Sequence, residues 1–153
     1  MSLEPTLDNI KKRFEEGNID SALLDLQSAE EIKSRDFRIF FYYGRCYIKK
    51  EEFKKAVNYL EKAFNLNPIG YIAFYLAKAY LLNDQFSKAV EYIDDALQLH
   101  ISERVQAGLN YFKAGGLLEL GNKEESLKAA QKAVDLKPEN QEYQKVLHQL
   151  QNI

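Results

Sequence analysis

With 153 residues, 46% apolar content and a mean hydropathy of -0.45, the chain has the size and composition of a folded globular unit. It contains no run of the roughly 18 to 20 apolar residues that a membrane span needs. Its 21 basic and 23 acidic residues leave a net charge of -2 and are mixed along the whole length, which offers no basic field for a nucleic-acid backbone.

The N-terminus has no basic segment leading into an apolar run, so no secretion signal is expected. Met1-Ser2-Leu3 fits a cloning scar on a module of something larger. In chain order, a first helix pair is expected over about 3–36. Its second half carries Gly17, Ile19, Ala22, Leu26, Ala29 and Ile32, while Thr6, Asn9 and Arg13 occupy first-half positions that later copies fill with apolar residues. Counted from Phe37, the stretch 37–69 places Phe40, Tyr43, Gly44, Tyr47, Phe53, Ala56, Leu60, Ala63 and Pro68 at positions 4, 7, 8, 11, 17, 20, 24, 27 and 32. Counted from Gly70, the stretch 70–103 repeats the pattern with Leu76, Ala77, Tyr80, Phe86, Ala89, Ile93 and Ala96, and has Ile101 in place of the proline. The stretch 107–140 keeps Gly121, Ser126, Ala130, Ala133, Leu136 and Pro138 but sets Asn110 and Lys113 at apolar positions. A closing helix over about 139–152 sets Tyr143, Val146, Leu147 and Leu150 against Gln, Lys and His. Ala29, Ala63, Ala96 and Ala133 recur at intervals of 34, 33 and 37 residues.

This pattern resembles the tetratricopeptide repeat, with Phe40 in place of the family's Trp and Leu60 in place of its later Phe. The resemblance covers nearly the whole chain. It implies an all-α fold, a right-handed superhelix or solenoid of antiparallel helix pairs in one domain over 1–153, closed by a capping helix. Small residues at positions 8, 20 and 27 let the two helices of a pair approach, and large ones such as Tyr47, Tyr80, Leu60 and Ile93 fill the gaps. Ile32, Leu66, Leu99 and Leu136 at position 30 are expected to seal each second helix against the next repeat.

Chemistry finds little to work with. His100 and His148 lie 48 residues apart and neither belongs to a zinc-ligand spacing, so no metal is expected; His100 is placed at the close of a second helix and His148 on the polar side of the last one. Asp94-Asp95, Glu51-Glu52 and Glu124-Glu125 fall on solvent faces, and the runs 49–52 and 123–125 at helix turns. Gly115-Gly116 lies within a helix, without a phosphate-loop signature. No catalytic residue, cofactor or enzyme activity is expected.

What the resemblance implies about function lies in the groove lined by first helices, at positions 2, 5, 6, 9, 12 and 13. Positions 5 and 6 are aromatic pairs in three successive repeats: Phe41-Tyr42, Phe74-Tyr75 and Tyr111-Phe112. Arg45 and Lys78 stand at position 9, and Gly115 is expected to face the groove as well. Position 5 serves either packing or binding; Tyr42, Tyr75 and Phe112 at position 6 form a ladder. Gly115 either softens its helix or lets a partner's backbone come close. Such a strip suits an apolar peptide or amphipathic helix of a partner protein, which makes the chain an interaction scaffold or adaptor. A homo-oligomer whose groove is filled by a second copy, and a small chaperone of the kind that serves bacterial secretion, stand beside it. The residues with which family members grip the C-terminal carboxylate of heat-shock chaperones are missing: the matching positions hold Leu7, Lys11, Tyr42, Tyr71 and Tyr75, or Phe41, Arg45, Tyr75, Gly108 and Phe112. The lone Cys46 excludes an internal disulfide and fits a reducing, cytoplasmic compartment.

Overall fold

A computed structural model describes residues 2–153; Met1, part of the expected scar, lies outside them. The described residues form nine helices and no strand: α1 (Glu4–Glu15), α2 (Ile19–Ile32), α3 (Phe37–Lys49), α4 (Phe53–Leu66), α5 (Gly70–Leu82), α6 (Phe86–Ala96), α7 (Glu103–Glu119), α8 (Lys123–Leu136) and α9 (Gln141–Gln151). They group into two compact units, one running to Pro68 and the other spanning Ile69–Ile153.

The first unit pairs α1 with α2 and α3 with α4. Leu26, Ala29, Ile39, Tyr43 and Cys46 meet at helical spacing around a buried core. Close approach of α3 and α4 depends on Gly44, because a Cβ there would come within 2.4 Å of Leu60 Cγ. Helix α1 keeps the register of the other first helices but carries its burial on Leu7 and Ile10, with Leu3 at its N-cap, and leaves Asn9 and Arg13 exposed, where Arg13 Nε pairs with Asp25 at 2.6 Å. Asp36 starts α3 by accepting from the Arg38 backbone N–H at 2.9 Å, and the Arg38 guanidinium holds its other oxygen at 2.8 Å. That guanidinium keeps the Asp36 carboxyl down at about 2. Cys46 is buried, and desolvation pushes its thiol up to about 12. Leu66, expected to seal α4, stays 39% exposed.

The second unit pairs α5 with α6 and α7 with α8, and α9 lies along α8. Asn110 and Lys113 do not spoil α7. Asn110 is buried, and its side-chain amide donates to the Gln106 carbonyl at 2.9 Å, while Lys113 reaches Asp94 at 2.7 Å. Ser126 stands at position 20, where the other repeats have alanine, and its hydroxyl donates across the helix pair to the Ala114 carbonyl at 2.7 Å. Three sequence expectations are corrected here. Helix α6 runs for 11 residues against 14 in α2, α4 and α8, so His100 lies in the connection beyond it rather than closing it. Helix α7 begins at Glu103, ahead of Ala107, because the Ser102 hydroxyl caps it by accepting from the Val105 N–H. Likewise the run 123–125 forms the first turn of α8, where Glu124 and Glu125 face the positive end of the helix dipole.

Each helix-pair turn ends its first helix the same way. Gly17, Glu51, Asp84 and Gly121 all take positive φ between 57° and 81°. The next N–H bonds back to the third-from-last helical carbonyl: Asn18 to Arg13, Glu52 to Tyr47, Gln85 to Tyr80, Asn122 to Leu117.

Candidate functional site

The aromatic positions were placed by helical geometry. On α5, Tyr71, Phe74 and Tyr75 follow one another at three- and four-residue steps, and Tyr111 and Phe112 do so with Gly108 and Gly115 on α7. The result in the second unit is a continuous row of rings. Tyr71 meets Tyr75 at 5.3 Å between centroids, Tyr75 meets Phe74 at 5.2 Å, and Phe74 meets Phe112 at 4.9 Å. Phe112 is 5.7 Å from Tyr111, which lies 5.1 Å from Tyr143 of α9. The row crosses three helices, and Tyr71 remains 50% exposed.

Gly108 makes the crossing possible. A Cβ there would sit 2.5 Å from the Phe74 ring and 3.7 Å from the Tyr143 hydroxyl. Gly116 has a packing role as well, facing Val90 and Leu81 at 3.0 and 3.2 Å, whereas nothing lies within 4 Å of a Cβ added to Gly115. Of three glycines on one helix, two are explained by contact and the third faces open space.

Two depressions flank the row. The smaller, of about 290 Å³, is lined by Lys78, Leu81, Leu82, Tyr111, Phe112, Gly115 and Val146. The larger, of about 850 Å³, opens at the amino-terminal ends of α5, α7 and α9. Burial raises the phenols of Tyr111 and Tyr143 above the ordinary tyrosine range. Glu142, which accepts from the Tyr111 hydroxyl at 3.5 Å, raises the first further, and the charge of Arg104 opposes the rise at Tyr143.

The remaining predicted residues belong to the first unit. Phe41 is only 6% exposed, and Tyr42 lies edge-on to both Phe41 and Phe14. The Arg45 guanidinium sits 4.4 Å from the centre of the Phe14 ring and 5.6 Å from that of Phe41. Of the nine residues expected in one groove, Phe74, Tyr75, Lys78, Tyr111, Phe112 and Gly115 lie together in the second unit, and Phe41, Tyr42 and Arg45 lie together in the first. The expected set missed Tyr71, Tyr143 and Arg104. Tyr71 was legible as position 2 of its repeat, and the interval of 37 residues between Ala96 and Ala133, longer than the other two, marks the early start of α7 that brings in Arg104.

Among the described residues, no helix is long and apolar enough to cross a membrane, and no group of three or more His, Cys, Asp or Glu side chains is gathered for a metal ion.

Comparison with known proteins adds the family. Two models of the tetratricopeptide repeat match residues 37–69 and 74–141, together more than half of the chain. No curated protein matches it in sequence. Among solved structures, a chain of the APC/C hetero-tetramer Cut9-Hcn1 superposes with a TM-score of 0.86 at 18% identity, over 98% of this chain and 30% of that one. MamA from Desulfovibrio magneticus RS-1 gives 0.84 at 19% identity over 97% and 82%. TTC0263, a thermophilic repeat protein of Thermus thermophilus, gives 0.79 at 16% identity over 100% and 83%. The chain thus spans less than a third of the first and most of the other two, and at these identities the likeness is one of fold. Helix pairs, small-residue spacing and family models agree, and the chain belongs to the tetratricopeptide repeat family.

Proposed function

We propose that the chain is a non-enzymatic protein-interaction module that holds an apolar segment of a partner protein against the face formed by α5, α7 and α9. One observation carries the reading: six rings run in contact across three helices and are left partly open, with depressions on both sides. Rings buried at the centre of an interface supply most of its binding free energy, and an apolar peptide or the apolar side of an amphipathic helix completes that burial. Membership of a repeat family built for broad surfaces supports the same use.

The test compares capture by the wild-type chain with capture by the triple variant Tyr71→Ser/Tyr75→Ser/Phe112→Ser, all three in the ring row. Partners retained by the wild type and lost by the variant, with far-UV circular dichroism unchanged, support the proposal. Equal capture by both proteins removes the aromatic row from it.

A further inference from the structure

The larger depression lies at the lengthened connection between α6 and α7. It exists because α6 stops at Ala96 and α7 starts early at Glu103, so the connection carrying His100, Ile101 and Ser102 forms one wall and the first turn of α7 another. Ile101, in the place of the family's proline, packs over Gly70, where a Cβ would come within 2.7 Å of it. The apolar lining is therefore Ile101, Val105 and the rings of Tyr71, Phe74, Tyr75 and Tyr143.

The polar lining is lopsided. Arg104 and Lys137 stand with one carboxylate, Glu139, and the imidazole of His100, in a chain whose net charge is -2. The Ser102 hydroxyl and the Asn140 side chain are already engaged in capping α7 and α9. Cations in this family member are often paired, as Arg13, Arg38, Lys50 and Lys113 are with Asp25, Asp36, Asp20 and Asp94. Among the described residues, Arg104 and Lys137 have no such carboxylate. An uncompensated pair of cations beside an apolar floor complements a ligand that carries both properties at once, and a cleft of about 850 Å³ holds a few residues of peptide.

We infer that this cleft takes an internal segment of a partner protein in which a large apolar side chain lies next to an aspartate or glutamate. The apolar side chain lies on the rings of Tyr71, Phe74 and Tyr143, and the carboxylate meets Arg104, whose planar guanidinium can hold it through two parallel hydrogen bonds, with Lys137 as a second charge. The inference rests on the reading of the α5–α7–α9 face as a peptide site and names what one end of that face selects.

The probe is a phage-displayed library of random peptides, fused at their C-termini so that none offers a free terminal carboxylate. It is panned against the wild-type chain, the variant Arg104→Gln/Lys137→Gln and the triple serine variant. Peptides recovered on the wild type should share an acidic residue beside an aromatic or large aliphatic one. Synthesised with amidated ends, they should bind about tenfold more weakly when that acid is changed to its amide, and about tenfold more weakly to the double glutamine variant. The amide exchange reads the carboxylate without altering the protein. Apolar peptides recovered with no acidic preference would overturn the inference and leave the peptide-binding face standing; no enrichment over the triple serine variant would overturn both. Dimerisation of the wild type in the ultracentrifuge that is lost in Arg104→Gln/Lys137→Gln would put a second copy in the cleft and overturn it too.

Discussion

Glu51 and Asp84 occupy the same place in their turns as Gly17 and Gly121, and all four adopt left-handed backbone. For a residue with a Cβ that conformation costs about 1 kcal/mol, and here the chain tolerates it because the two backbone hydrogen bonds of the turn require it. Glu51→Gly and Asp84→Gly should therefore each stabilise the protein by up to about 1 kcal/mol, and Gly121→Ala should destabilise it by a similar amount. Urea denaturation midpoints of the three variants measure this, and a Glu51→Gly protein no more stable than wild type would show that the turn is not strained. Asp36 gives a second residue-level expectation. Its folded carboxyl lies at about 2, below the ordinary aspartate value, so its contribution is fully present above about pH 4 and disappears as pH falls toward 2. The shift corresponds to about 2 kcal/mol. Asp36→Asn can still accept at the cap but has no charge to lose; the gap in stability between wild type and Asp36→Asn should be widest near neutral pH and close between pH 4 and pH 2.

Helices pack here according to where the chain is small. Gly44 faces Leu60 so closely that Gly44→Ala should destabilise the first unit by about 1 to 3 kcal/mol despite alanine's better helix propensity. Gly115 is the opposite case: with open space around it, Gly115→Ala should stabilise by up to about 1 kcal/mol. Thermal melts of the two variants should move in opposite directions. The same logic explains what the sequence allowed to be read. Positions 8, 20 and 27 are fixed by contact between the two helices of a pair, so their smallness shows in sequence, and Gly44, Ala56, Ala63, Ala77, Ala89, Ala96, Ala114 and Ala133 are all buried. In α1 the family's positions 4, 7 and 11 hold Thr6, Asn9 and Arg13, and burial is carried by Leu7 and Ile10 instead. In α7 the polarity of Asn110 at an apolar position is absorbed by its own helix, in a bond that no spacing rule records. The ring row was legible as position 5 and 6 aromatics, but Tyr143 comes from the closing helix and is brought in by the packing around Gly108, while Tyr71 joins from the first turn of α5 by meeting Tyr75 edge-on.

At the scale of whole units, the α7–α8 pair presents an apolar side, and α9 covers it. Leu150 is buried among Ala114, Leu117, Ala129 and Ala130, with Val146 and Leu147 packed against the same cluster. Each buried side chain of this kind contributes about 1.5 to 3 kcal/mol, so removing α9 withdraws several kcal/mol from a fold whose net stability is about 5 to 15 kcal/mol. It also takes Tyr143 from the end of the ring row and from one wall of the larger cleft. A chain ending at Pro138 should therefore lose more far-UV helical signal than the 11 residues of α9 account for, and limited proteolysis should cut within α7 and α8. If the truncated chain instead loses only the signal of its missing helix and α7 and α8 keep their resistance, α9 is a passenger on the fold, and its rings would have to be justified by binding alone.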